Sequence, residues 1–165
     1  MTAYSWNSFN PGNWSNAADW TPGGGPPRTS ADSANLSFNG MDVITLDVDE
    51  TIGTLTIGSA ADTLDIGSNQ LTVTNSGGLA GTVTVTAGQI DIEGGTLSAT
   101  NGISLGAGTR LEGSGTLIGP IAGAGQYIAI DGTLRFESAV LASATNLIID
   151  GTSATAPVIE LDSTV

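Results

Sequence analysis

Between residues 64 and 136 the chain repeats one short figure: an apolar residue, a polar or small one, an apolar one, then a turn. Leu64-Asp65-Ile66, Leu71-Thr72-Val73, Val83-Thr84-Val85, Ile90-Asp91-Ile92, Leu97-Ser98-Ala99, Ile103-Ser104-Leu105, Ile128-Ala129-Ile130 and Leu134-Arg135-Phe136 carry it. Gly67-Ser68-Asn69, Ser76-Gly77-Gly78, Gly94-Gly95, Asn101-Gly102, Gly106-Ala107-Gly108 and Gly123-Ala124-Gly125 stand between them. Alternation with period two, bounded by Gly and Asn, predicts strands a few residues long with one buried face. No apolar stripe at three-four spacing persists, so no helix is expected.

Aligning the figures gives a longer repeat. Leu64 to Val83, Leu71 to Ile90, Val83 to Ile103, Ile90 to Leu111, Leu97 to Leu117 and Ile128 to Leu147 are each separations of about 20 residues. A period near 20 holding three short strands predicts an all-β fold, a right-handed parallel β-helix of triangular section. Coils stacked about 4.8 Å apart turn each inward position into a column of Leu, Ile and Val. A β-sandwich is the alternative, but the close succession of strand starts favours the solenoid.

The first 40 residues have another character. They hold six of the eight aromatics (Tyr4, Trp6, Phe9, Trp14, Trp20, Phe38) and four of the six prolines (Pro11, Pro22, Pro26, Pro27). Dense Pro and Gly predict irregular backbone, with Gly23-Gly24-Gly25-Pro26-Pro27 as a surface loop. The aromatics predict a packed cluster of Trp6, Phe9, Trp14, Trp20 and Phe38 that closes the open end of the solenoid. Residues 1–41 are thus read as a cap and 42–165 as the coils of one continuous domain. Flat aromatic faces also suit sugar rings, which is the functional alternative for the tryptophans.

Charge removes several function classes. Sixteen carboxylates face three arginines and no lysine, for a net charge of -13, so a nucleic-acid partner is not expected. Without His, Cys or Lys the chain cannot supply a Ser-His-Asp triad, a thiol nucleophile, a Schiff base or a phosphate-loop lysine. No apolar run reaches the roughly 20 residues of a membrane helix, and membrane insertion is not expected. Gly102-Ile103-Ser104-Leu105-Gly106 fits the nucleophile-elbow pattern, but that motif needs a following helix and a histidine.

The carboxylates themselves offer two candidates. Asp47, Asp49 and Glu50 form the densest acidic turn and are candidate calcium ligands, since hard cations take oxygen donors. The repeat places Thr72, Asp91 and Glu112 in one outward column, with Glu93 and Arg110 close by on the same faces of their strands. Asp91 and Glu112 would then lie about 5 Å apart beside an arginine, the spacing a retaining glycosidase or a calcium-assisted lyase uses. The competing reading is structural: a solvated turn in the first case and an exposed Arg110–Glu112 ion pair, like Arg135–Glu137, in the second.

Trp6-Asn7, Gly12-Asn13-Trp14-Ser15-Asn16-Ala17-Ala18-Asp19-Trp20, Asp32-Ser33-Ala34-Asn35-Leu36-Ser37-Phe38, Val43-Ile44-Thr45-Leu46-Asp47 and Ile52-Gly53-Thr54-Leu55-Thr56-Ile57 resemble the opening of autotransporter-like and adhesin-like bacterial exoproteins with β-helical passengers. The resemblance implies an extracellular or cell-surface, non-catalytic role, structural or adhesive, with cell-surface glycans as candidate ligands. No cofactor beyond calcium is expected. Strand-like sequence runs to Val165 without a closing cap, so Ile159, Leu161 and Val165 are the expected assembly end. Its partner would be another copy of the chain or further domains of a longer one.

Overall fold

The structure is a computed structural model describing residues 1–37, 40, 42–137, 146–150 and 155–162. It is all-β. The strands are β1 (Thr2–Trp6), β2 (Gly12–Asn13), β3 (Trp20–Thr21), β4 (Asp32–Leu36), β5 (Val43–Thr45), β6 (Glu50–Ile52), β7 (Thr54–Ile57), β8 (Thr63–Asp65) and β9 (Gln70–Val73). They continue with β10 (Val83–Val85), β11 (Gln89–Ala99), β12 (Ile103–Leu105), β13 (Arg110–Ile118), β14 (Ile121–Gly123), β15 (Gln126–Phe136), β16 (Asn146–Ile149) and β17 (Val158–Leu161). One 3-10 turn, Ala17–Asp19, is the helical element among the described residues. No helix there is long and apolar enough to cross a membrane.

Two sheets share these strands. One has the order β14-β12-β10-β7-β4-β1-β3 and the other β16-β15-β13-β11-β8-β5-β2, with β9 also joining β6 to β11 and β17 pairing with β15. From β4 to β15 the chain passes back and forth between them, with β5–β6 and β8–β9 each running consecutively in the ten-stranded sheet, and strands one pass apart pair in parallel. Among the described pairings β1 with β3 alone is antiparallel. Parallel partners need a crossover connection, which the intervening strand of the other sheet provides.

The inward positions of both sheets make one core, in which Ile44, Leu64, Ile90, Leu111 and Tyr127 are paired in sequence and fully buried. Aliphatic columns of this kind follow from period-two alternation in strands with one buried face.

The spacing of partners is uneven, and three expected alignments are corrected, among them that of Ile128, which pairs with Ile148 and not Leu147. Val83 pairs with Ile103 and Leu97 with Leu117, as the expected period requires. Leu64, however, pairs with Ile90 and not Val83, and Leu71 with Leu97 and not Ile90. Residues 74–82, with Gly77, Gly78 and Gly81 at positive φ, form an irregular excursion that lengthens this pass of the chain. Further on, Leu111 pairs with Tyr127, a pass shorter than the period.

A second correction concerns β15. The figure Ile128-Ala129-Ile130 predicts inward isoleucines, but Tyr127 and Ala129 are buried while Ile128 and Ile130 are half-buried on the outer side. A shift of one residue exchanges the faces of a strand. The Tyr127 ring lies edge-on to Phe136, 5.7 Å between centroids, and its hydroxyl donates to the Ile103 carbonyl at 3.1 Å. That hydrogen bond lets a phenol take an inward position.

The residues read as a cap also contribute strands. β1 and β4 lie in the seven-stranded sheet in parallel register with β7, so the early segment already contributes strands to the stack. The tryptophans fill the core at this end. Trp6, Trp14 and Trp20 are buried, with T-shaped contacts of 5.2 Å (Trp6 to Trp20) and 4.7 Å (Trp14 to Trp20). The Trp20 indole N–H donates to the Trp14 carbonyl at 2.8 Å, and that of Trp14 to the Pro27 carbonyl at 3.1 Å. Of the expected surface loop Gly23 and Gly24 are exposed, while Gly25, Pro26 and Pro27 are buried. Phe9 is 73% exposed. Phe38 lies outside the described residues.

Candidate functional site

The carboxylate column on the outer face of the ten-stranded sheet contains Asp65, Asp91 and Glu112 in direct register. Thr72 belongs elsewhere: it pairs with Ser98. The same long pass that moves Leu64 onto Ile90 puts Asp65 beside Asp91, a residue that a uniform period misses. Thr45 and Ile128 continue the column on either side.

Next to Asp91 and Glu112 the long strands β11, β13 and β15 bend. Their pairing shifts between Glu93 and Thr96, and again between Gly113 and Gly115. Gly113 sits at φ +120, where a Cβ would come within 2.0 Å of the Ile92 carbonyl oxygen, so the close approach of β11 and β13 requires glycine. On β15 the register steps from Ala129, opposite Gly113, to Leu134, opposite Gly115, and Asp131 between them adopts φ 56. Aspartate tolerates this left-handed conformation better than most residues.

The bend leaves a groove of about 490 Å³ lined by Asp91, Glu93, Glu112, Ser114, Ile130 and Asp131. With Ile92, Gly94 and Gly113 the lining comes to nine residues, of which four are acids, and Ile130 adds an apolar side chain because β15 shows that face outward.

The two central carboxylates have different surroundings. Burial first, and the Glu112 carboxylate second, push the Asp91 carboxyl up to about 6, against the pull of Gln89 and Arg110. The Gln89 amide donates to Asp91 Oδ1 at 3.0 Å. Glu112 has a cation instead: Arg110 Nε lies 3.0 Å from its Oε2 and 2.8 Å from Gln89 Oε1. Of this adjacent pair, Asp91 is thus the carboxyl whose surroundings favour the protonated form, while Glu112 has the guanidinium at its side.

The acidic turn has local work to do. Asp47 accepts from the Ser15 N–H at 3.0 Å and the Ser15 hydroxyl at 2.6 Å, and Asp49 accepts from the Gln70 N–H at 2.8 Å. Partial burial pushes the Asp47 carboxyl up, but the Ser15 donors outweigh it and hold it below the usual range. Glu50 is raised by burial, with Arg28 opposing. These side chains bind separate neighbouring passes, and no three acids among the described residues converge as metal ligands.

At the far end Ile159 is half-buried against the core while Leu161 is 54% exposed. Val165 lies outside the described residues. Arg135 there meets Glu137 and Glu160 at 3.8 Å and Asp162 at 3.0 Å, tying β17 to β15. Comparison with protein families, with characterised proteins and with solved structures returned no match.

Proposed function

We propose that the chain winds as a right-handed parallel β-helix and serves as a structural or adhesive rod at a bacterial surface, extended by end-to-end contact between copies. The alternation of strands between two parallel sheets supports the winding, and strand-crossover-strand units are nearly always right-handed. The observation that carries the function is an asymmetry of the two ends. One is filled by Trp6, Trp14 and Trp20. At the other, Ile149, Val158 and Leu161 expose apolar side chains on β16 and β17, which pair on one side only among the described residues, as β2 and β3 do at the first end. Unpaired backbone beside exposed apolar side chains is a template for strand addition, and a head-to-tail contact propagates.

Sedimentation at increasing protein concentration and salt tests this reading. Net charge -13 opposes contact between copies, so salt should promote assembly. Val158→Lys with Leu161→Lys should abolish it; assembly unchanged by both substitutions, or a monomer throughout, counts against the proposal.

The groove supports a second reading, a site that binds or cleaves an extracellular polysaccharide. Neighbouring parallel strands stand about 4.8 Å apart, near the roughly 5 Å between carboxyls of retaining glycosidases. Asp91 would act as the acid and Glu112, with Arg110 beside it, as the nucleophile. Release of reducing ends from a polysaccharide panel, lost in Asp91→Asn and in Glu112→Gln, is the expected result. Activity that survives both substitutions removes the site.

A further inference from the structure

Five of the six buried side-chain polar atoms that lack a hydrogen-bond partner among the described residues lie at one place: Trp6 Nε1 and the four carboxylate oxygens of Asp42 and Asp62. Each aspartate stands one residue before a paired strand, Asp42 before Val43 and Asp62 before Thr63, and Val43 and Thr63 are partners. The Thr63 N–H donates to the Asp42 carbonyl at 2.9 Å, so the two aspartates are consecutive members of one inward column. They are 0% and 1% exposed, on the same face as Ile44 and Leu64. Gly88 and Thr109 occupy the same place before the next two strands and bring no charge.

We infer that Asp42 and Asp62 share one proton, and that this acid–carboxylate pair fastens the tryptophan-filled end of the fold. Two ionised carboxylates on adjacent strands about 4.8 Å apart in an apolar core would be strongly unfavourable. One proton removes the repulsion and lets the O–H of one carboxyl donate to an oxygen of the other. The remaining oxygens have donors beside them. The Trp6 indole N–H faces Asp42 and the Ser59 hydroxyl faces Asp62, both short of hydrogen-bond geometry. An N–H turned towards Asp42 suits a carboxylate and repels a metal ion, which favours a proton over a cation as the bridging charge. Asp19, on the 3-10 turn, is the further charged group that acts on Asp42, and it is also negative. Among the described residues no basic side chain acts on either carboxyl.

The direction with pH follows. Burial first, and Asp42 as a further cause, raise Asp62 to about 6, and burial first raises Asp42 too. A raised folded-state value means that the folded chain holds the proton more tightly than the unfolded one. The pair's contribution is complete below about 4 and is lost as pH rises through about 6.

Urea unfolding between pH 4 and pH 7.5 tests this, in an Asp91→Asn background because Asp91 titrates in the same window. The folding equilibrium constant should fall by up to about tenfold per pH unit for one proton. Asp62→Asn should remove most of that fall and raise the constant at pH 7.5. An unchanged slope, or a stabilisation by calcium at pH 7.5 that Asp62→Asn abolishes, overturns the inference. Carbon-13 NMR of the aspartate carboxyls in the unmodified chain gives a reading independent of the variants' folding. One carboxyl of the pair should titrate well above the other, and both titrating together near 4 also overturns it.

Discussion

Tyr127 donates its hydroxyl to the carbonyl of Ile103, 3.1 Å away and wholly inside the core, linking β15 of one sheet to β12 of the other. The Ile103 N–H meanwhile donates to the Pro120 carbonyl. Tyr127→Phe keeps the ring contact with Phe136 and removes one buried hydrogen bond. It should cost about 1 to 2 kcal/mol in chemical denaturation, and a loss under about 0.3 kcal/mol would mean that the hydroxyl is not needed.

The aromatic end should show a sharp contrast. Trp20 is buried between Trp6 and Trp14 and donates to the Trp14 carbonyl, so Trp20→Ala should cost about 3 to 5 kcal/mol. Phe9, at 73% exposure, should change stability by less than about 0.5 kcal/mol on truncation to Ala. Thermal melts of the two variants separate a packed cluster from its exposed neighbour.

Two glycines beside the groove should also differ. Gly113→Ala must push a methyl into the Ile92 carbonyl at φ +120, and should cost more than about 2 kcal/mol. Gly94 has φ +90 but open space around a Cβ, so Gly94→Ala should cost about 1 kcal/mol from backbone strain alone. Equal losses would show that close packing is not what Gly113 serves.

Asp91 should make the chain less stable as pH rises. Its carboxyl, raised by burial to about 6 from 3.8, holds its proton more tightly folded than unfolded. The contribution is present below about 4 and disappears through about 6. Asp91→Asn should therefore gain about 1 kcal/mol at pH 7 after solvent screening, and nothing at pH 4. Unfolding curves at the two values check the sign.

How much of this is legible in the chain depends on the kind of signal. Ile90-Asp91-Ile92 and Leu111-Glu112 announce their inward and outward faces by simple alternation, and Asp91 beside Glu112 follows from the spacing of these two figures. Where turns vary, alignment by period fails. Nothing in Ser76-Gly77-Gly78 distinguishes a tight corner from part of a longer excursion, so nothing puts Asp65 beside Asp91. Ile128 and Ile130 mislead because an isoleucine outranks alanine as a core residue, while the deciding feature is a carbonyl, that of Ile103, able to receive the Tyr127 hydroxyl. Asp42 and Asp62 are legible in principle. Both precede an inward aliphatic by two positions, which places them on the core face, where a charged residue calls for explanation.

The unequal lengths of the passes have one more consequence. A stack of identical repeats can slip by a rung and still satisfy every strand, with only its last turn left over. Here the pass from Leu64 to Ile90 is longer than that from Val83 to Ile103, and that from Leu111 to Tyr127 is shorter than either. Sliding the strands that flank either unequal pass by one level would leave a connection too short or strand several residues in the interior. The long and the short pass thus fix the register around them, as the wards of a lock admit one key, and misregistered copies are disfavoured there before side-chain packing is considered.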